Sequence, residues 1–354
     1  MRALVVHAGP QFSVMDVANG WVRGLQANGV DVLEMDLHNA LWYFSNTFVE
    51  RDGEWIPGMT IEQACFAAGE QVQAYAFRWL PDVTFIVSGF FLTEFTVQLL
   101  RARGSKVVWL MTESPYEETT QLRRAGWAAD LVVLNDPTHL GQYADAGISA
   151  MYVPHSYDPA VHRPGPADPA CLSDVCIVGT GYPSRVRFLE QIDWTGIDLA
   201  LLGMWKTLEG HPLAEHVRGV TTGPDDPDRY EVCIDNRQTV TWYRSTRASL
   251  NLYRREAEAD TLTDGYAMGP REVELAACGT FFVTEARGEN VDRLPMVPKV
   301  ATPAEADEML RWYLAHDNER ARVADAARRA VDGWTFEARA AEVLRLLEQQ
   351  PVTV

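Results

Sequence analysis

Asp264-Gly-Tyr-Ala-Met-Gly-Pro-Arg-Glu-Val-Glu-Leu-Ala-Ala-Cys-Gly-Thr-Phe-Phe-Val-Thr-Glu285 reads as a loop, a short helix, a stop and a buried strand. Proline suits the first helical position, where no backbone N–H is needed, and glycine suits the position just past the end. The helix is therefore predicted from Pro270 to about Cys278, with Phe281 to Thr284 as the strand. Arg271, Glu272 and Glu274 fall in its opening turns, beside unpaired backbone N–H groups and the positive end of the helix dipole. Such a terminus suits a phosphorylated ligand.

Working outward, this helix–strand pair sits in an alternating series. Asp174 to Gly179 is an apolar strand that enters the loop Thr180-Gly-Tyr-Pro-Ser-Arg185 and a helix to about Ile192. Leu199 to Leu202, Ala248 to Tyr253 and Val297 to Ala301 are further strands. Pro303 to His316, Glu319 to Val331 and Phe336 to Leu347 are amphipathic helices. Upstream, strands are predicted at Arg2 to His7, Asp31 to Met35, Val83 to Val87, Val107 to Met111 and Leu131 to Leu134, with helices at Val14 to Asn28, Ile61 to Leu80 and Thr93 to Arg103. Strands that alternate with helices pair in parallel through crossover helices, giving doubly wound α/β domains. Four prolines between Asp158 and Asp174 mark a linker between two such domains. The expected division is 1–157, a linker at 158–173, 174–335, and a terminal helix from 336 to 354.

In each domain the ligand edge lies at the carboxyl ends of the strands. Those ends hold His7-Ala8-Gly9-Pro10, Ser88-Gly89-Phe90, Thr112 to Tyr116, Asn135-Asp136 and Pro154-His155-Ser156.

The 354 residues carry 31 Lys+Arg and 49 Asp+Glu, a formal charge of -18 that repels nucleic-acid backbones and anionic membranes. Five cysteines, Cys65, Cys171, Cys176, Cys233 and Cys278, are odd in number and lack short paired spacings. They argue against a disulfide framework or a zinc site. The amino-terminus enters a strand pattern directly, and no run of about 18 apolar residues suggests a span. The expectation is a soluble, cytoplasmic protein without a signal peptide.

Pro270-Arg271-x-x-Glu274-x-x-Ala277-Cys278-Gly279 resembles the P-R-x-x-E-x-x-A-x-G segment of CgeB-like glycosyltransferases, a branch of the GT-B superfamily. Three more stretches resemble that branch in order and position. They are Val107-Val-Trp-Leu-Met-Thr-Glu-Ser-Pro115 with Ala129-Asp130 and Asn135, then Gly179-Thr-Gly-Tyr-Pro-Ser-Arg185, then Trp334-Thr-Phe-Glu-Ala-Arg339. The resemblance implies a GT-B fold, two facing Rossmann-like doubly wound domains with a cleft between them. It implies that the second domain holds a nucleotide-sugar and that the last helix crosses back onto the first. It also implies that Glu274 accepts hydrogen bonds from ribose hydroxyls, as an acceptor-only carboxylate can. Many relatives carry another glutamate eight positions earlier, where this chain has Tyr266, so sugar contacts made by that glutamate do not transfer.

Beside the resemblance stand plainer readings. Alone, Glu274 would be a solvated helix residue, and Arg271 could cap or pair with an acid instead of gripping a diphosphate. Thr180 and Gly181 follow a strand as a phosphate loop should, with Arg185 the expected diphosphate contact and Arg187 its competitor. Gly9 and Asn251, at strand ends, complete the donor-binding set. Glu113 and His155 are the candidates for a base or electrostatic stabiliser near the acceptor, with His7 behind them. Asp225-Asp226-Pro-Asp228 follows Gly223-Pro224 and reads as a solvated turn, so no metal and no other cofactor is expected. Trp42, Tyr43, Phe44, Phe48 and Trp55 crowd an irregular segment and are the candidates for acceptor recognition.

The expected activity is metal-independent transfer of a sugar, with retention, from a UDP-sugar or similar donor to an acceptor that is a protein, glycan or small molecule rather than DNA. The alternatives are a nucleotide-sugar epimerase and a non-catalytic nucleotide-sugar or glycan-binding protein.

Overall fold

Alternation along each strand decides the architecture. In β1 (Arg2–Val6), Ala3 and Val5 point to one side and Leu4 and Val6 to the other, and all four are fully buried. A strand apolar on both faces needs helices above and below it. The computed structural model describes residues 1–9, 14–218, 234–257, 262 and 265–349, and within it the chain divides into two units. Unit 1 is Met1–Pro154 with Phe336–Val354; unit 2 is His155–Thr335.

Unit 1 begins with β1, α1 (Val14–Ala27), β2 (Asp31–Met35), α2 (Leu37–Ser45), β3 (Phe48–Arg51), β4 (Glu54–Pro57) and α3 (Ile61–Trp79). It continues through β5 (Val83–Val87), α4 (Glu94–Ala102), β6 (Lys106–Met111), α5 (Glu118–Ala128), β7 (Leu131–Leu134), α6 (Leu140–Asp145) and β8 (Ala150–Tyr152). Six strands form a parallel sheet in the order β2-β1-β5-β6-β7-β8. Val5, Phe85, Leu110 and Val133 pack with α1 on one face; Leu4, Ile86, Trp109 and Val132 pack with α2 to α5 on the other. Each fully buried aliphatic side chain contributes about 1.5–3 kcal/mol relative to exposure.

In unit 2, β9 (Ser173–Val178), α7 (Pro183–Leu189), β10 (Leu199–Leu202), α8 (Asn236–Ser245), β11 (Thr246–Asn251), α9 (Pro270–Cys278) and β12 (Phe282–Glu285) come first. Then follow α10 (Gly288–Arg293), β13 (Lys299–Val300), α11 (Pro303–Ala315) and α12 (Asp317–Ala330). The five strands are parallel in the order β10-β9-β11-β12-β13. Helices α7, α11 and part of α12 cover one face; α8 and α9 cover the other.

The last helix, α13 (Phe336–Gln349), returns to unit 1, where Val343, Leu344 and Leu347 join the core beside α1. Gly20 and Gly24 of α1 lie one turn apart, and a Cβ at Gly20 would stand 2.3 Å from the Phe336 ring, at Gly24 2.5 Å from the Phe336 carbonyl oxygen. Any larger residue on that α1 face would push α13 away.

Two expectations change. Residues 158–173 are packed into unit 2 instead of linking two bodies: Asp158 and His162 are buried, and the Arg244 guanidinium donates to the carbonyls of Arg163 and Val161. The four prolines of this strap are exposed, and it is held through Asp158, His162 and Arg244; the unit boundary falls at Pro154, so His155 to Tyr157 belong to unit 2. The aromatic segment after β2 is not irregular. It forms α2, capped by Asp36, and the antiparallel hairpin β3-β4. Asp52 and Gly53 both have positive φ, 56° and 85°, as a two-residue Asp-Gly hairpin turn requires. Pro10, Asp264 and the Gly223 to Asp228 run lie outside the described residues.

Candidate functional site

The site is built from the carboxyl ends of β9, β11 and β12. β9 runs into Gly179, whose N–H bonds to Leu202 and whose φ of +151° is a glycine conformation. Next, Thr180 is half-buried and Gly181 packs under Trp205 and Thr207. A Cβ on Gly179 would come within 3.0 Å of both the Arg185 and Arg271 guanidinium nitrogens. The loop glycine thus lets two cations converge on one backbone turn. Arg271 stands in the first turn of α9, which Pro270 opens and Gly279, in the left-handed conformation, ends, as the sequence predicts.

The two arginines differ. Arg185 is buried, and it donates from Nε to the Leu252 carbonyl and from a terminal nitrogen to that of Thr180, both at 2.9 Å. Those bonds brace the loop, so Arg185 is first a structural clamp there. Arg271 makes no ion pair with any described residue. The N-terminus of α7 is occupied internally: Ser184 donates its backbone N–H and hydroxyl to the two Glu256 oxygens, each at 2.9 Å. Burial pushes the Glu256 carboxyl up, and the N–H and hydroxyl donors around it outweigh that, leaving it below the usual range.

Glu272 is fully buried and accepts four hydrogen bonds: from the Tyr253 hydroxyl, from Gly269 N–H at 2.7 Å, from the Thr284 hydroxyl at 3.0 Å and from Asn290 Nδ2 at 2.8 Å. Burial raises its carboxyl, and the four donors pull the other way without cancelling it. Asn251, expected to face the donor, instead joins this network by donating to Thr284 Oγ1 at 3.1 Å, and it is 6 % exposed. Nearby, Glu285 ties the strand end together, accepting from Tyr253 N–H and from Arg255, both at 2.6 Å. Arg287 stacks over the Tyr253 ring at 3.8 Å.

Glu274 lies one turn along α9 from Arg271, on the same helix face, with its side chain 13 % exposed. His162 Nε2 is 3.9 Å from its Oε1. Tyr266 is half-buried, and its hydroxyl donates to Asp292 at 3.2 Å.

Thr180, Gly181, Arg185, Asn251, Arg271 and Glu274 thus share one end of the unit 2 sheet. His155 is a half-buried residue of the same unit. Gly9 and Glu113 belong to unit 1. Gly9 closes β1 against Phe91, and Glu113 follows β6 with its backbone N–H bonded to Gln121 at 3.1 Å. His7, also in unit 1, is buried and pairs with Glu34 at 3.1 Å. Sequence reading missed His162, hidden in the supposed linker, and the capping role of Glu272. The second was legible, since a glutamate three residues past a helix cap is the usual partner of the cap N–H.

No curated protein sequence matches this chain significantly. Residues 185–345 match the model of the family described as Glycosyl transferase-like. Among solved structures, a sucrose-phosphate synthase from Thermosynechococcus elongatus is similar at 15% identity and a TM-score of 0.62, over 99% of this chain and 98% of that one. An α-glucosyltransferase in complex with UDP and a DNA 13-mer is similar at 11% identity and 0.64, over 99% and 100%. The Anabaena protein HepE, in complex with UDP-glucose, is similar at 12% and 0.59, over 98% and 100%. None of the described helices is long and apolar enough to cross a membrane. The chain has the GT-B fold of two Rossmann-like α/β domains, and the Glycosyl transferase-like match covers most of the second domain and runs into α13.

Proposed function

We propose that this protein is a glycosyltransferase that takes a hexose from a nucleoside-diphosphate sugar, UDP-linked in the first instance, and passes it to an acceptor hydroxyl. The observation that carries this reading is the pair Arg271 and Glu274. An arginine with no ion pair among the described residues stands at the head of α9 against the Gly179 turn, and a carboxylate lies one turn along the same face. Cation and helix dipole suit a diphosphate; the carboxylate suits two ribose hydroxyls. The match at residues 185–345 and the UDP and UDP-glucose held by structural neighbours support the same assignment.

In this reading unit 2, His155–Thr335, binds the donor, and unit 1 the acceptor. Departure of the nucleoside diphosphate needs neutralisation of its growing charge, which Arg271 and the α9 N-terminus supply without a resident metal. Transfer with retention, kinship with the CgeB-like branch and a cytoplasmic setting belong to the same proposal. Glu113 and His155 are its candidates for the group beside the acceptor hydroxyl.

A thermal-shift screen across UDP-, GDP- and TDP-sugars tests the donor class, because a ligand of the native state raises apparent stability. Stabilisation by UDP-sugars is expected. Glu274→Ala is expected to weaken UDP binding by about 1.5–3 kcal/mol, the range for hydrogen bonds to a charged group. Unchanged affinity in a folded variant would remove the ribose role. Formation of an epimer from UDP-sugar alone would replace transfer with epimerisation.

A further inference from the structure

His162 comes from the strap at 158–173 and is 3 % exposed. Its Nδ1 accepts the Asp158 N–H at 3.3 Å, which places the proton of the neutral ring on Nε2. That Nε2 is buried without a hydrogen-bond partner among the described residues, and it faces Glu274 Oε1 at 3.9 Å, beyond hydrogen-bond reach. A second donor shares the surroundings. The Tyr243 hydroxyl of α8 is also buried and unpartnered, and its proton is held first by burial and then by the negative charge of Glu274. Arg271 opposes that effect from the other end of the same helix turn.

Two buried donors from separate elements thus lack a partner among the described residues: one faces the partly open Glu274 carboxylate at 3.9 Å, and the other lies within reach of its charge. Buried polar groups in native proteins are rarely left unpaired. An ionised carboxylate has about four acceptor directions, enough for two buried donors and two hydroxyls from outside. Ligand binding tightens hydrogen bonds of this kind.

We propose that His162, seconded by Tyr243, is a positioning residue that closes onto Glu274 and aims its free acceptor directions at the vicinal hydroxyls of a bound ribose. This rests on the reading of Glu274 given above. A histidine that only fills space beneath α9 would affect every ligand alike.

The test is titration calorimetry of the full chain with UDP and with 2′,3′-dideoxy-UDP, which lacks both ribose hydroxyls. His162→Asn keeps an acceptor for the Asp158 N–H and removes the Nε2 donor. It is expected to weaken UDP about tenfold, the effect of one hydrogen bond to a charged group, and to leave the dideoxy ligand unchanged. His162→Gln, which restores a donor near the lost position, is expected to bind UDP nearly as the parent does. If His162→Asn does not fold, Tyr243→Phe decides, with a smaller loss confined to UDP as the expected result. Equal losses for both ligands, or loss for neither, would overturn the proposal. If Glu274→Ala erases the preference for UDP over the dideoxy ligand while His162→Asn retains it, the positioning role alone falls. If Glu274→Ala also retains it, the ribose reading falls and takes this proposal with it.

Discussion

At the ends of β11 and β12 in unit 2, Glu272 takes four hydrogen bonds in full burial, and the Tyr253, Thr284, Asn290 and Asn251 side chains lock one another. On the α2 and β3-β4 surface of unit 1, Trp42, Tyr43 and Trp55 are 62 %, 66 % and 70 % exposed. Both regions are rich in functional residue types, yet they hold them by opposite means. The first is a polar lattice whose members have one geometry, as a site that must meet charge in a fixed place requires. The second offers large rings with little to hold them, a surface that tolerates varied contacts.

The contrast is broken most severely at Glu272. Glu272→Ala removes the acceptor for three buried donors and for the half-buried Gly269 N–H that caps α9, so a loss of about 2–4 kcal/mol of folding stability is expected. Denaturant midpoints measure it. A loss below about 0.5 kcal/mol would mean that the lattice is incidental, since that is the size of an ordinary surface substitution.

Much of this architecture was readable in the chain. β5, β6, β7 and α9 run as their apolar runs and their Pro–Gly punctuation predict, because those signals are local. The strap at 158–173 was not readable. Prolines mark irregular backbone equally well in a free linker and in a packed segment, and only the Arg244 bonds to Val161 and Arg163 separate the two. The site divides in the same way. Arg271 and Glu274 stand out by their place on a helix start, whereas Asn251 and Arg185 have the right residue types but turn inward, toward Thr284 and the Leu252 carbonyl. Which way a polar side chain turns depends on partners distant in sequence, and no spacing encodes them.

Arg271 stands beside the lattice against the Gly179 turn, without an ion pair to any of the lattice residues. Arg271→Ala is expected to leave stability within about 0.5 kcal/mol and to weaken UDP by about 1.5–3 kcal/mol while uridine binding stays constant. Calorimetry with both ligands checks this. Equal weakening of the two would place Arg271 away from the phosphates.

Unit 1 carries the smallest expected effects on folding. The Trp42 and Trp55 rings bury little surface, so Trp42→Ala and Trp55→Ala are expected to shift stability by no more than about 0.5 kcal/mol. If these rings receive the acceptor, each variant keeps the parent's affinity for UDP and its slow hydrolysis of UDP-sugar, and loses rate only in transfer to an added acceptor. Assays of hydrolysis and transfer on one preparation separate the two. Parallel loss of both rates would tie the aromatic surface to the donor, and loss of neither would free it from the reaction.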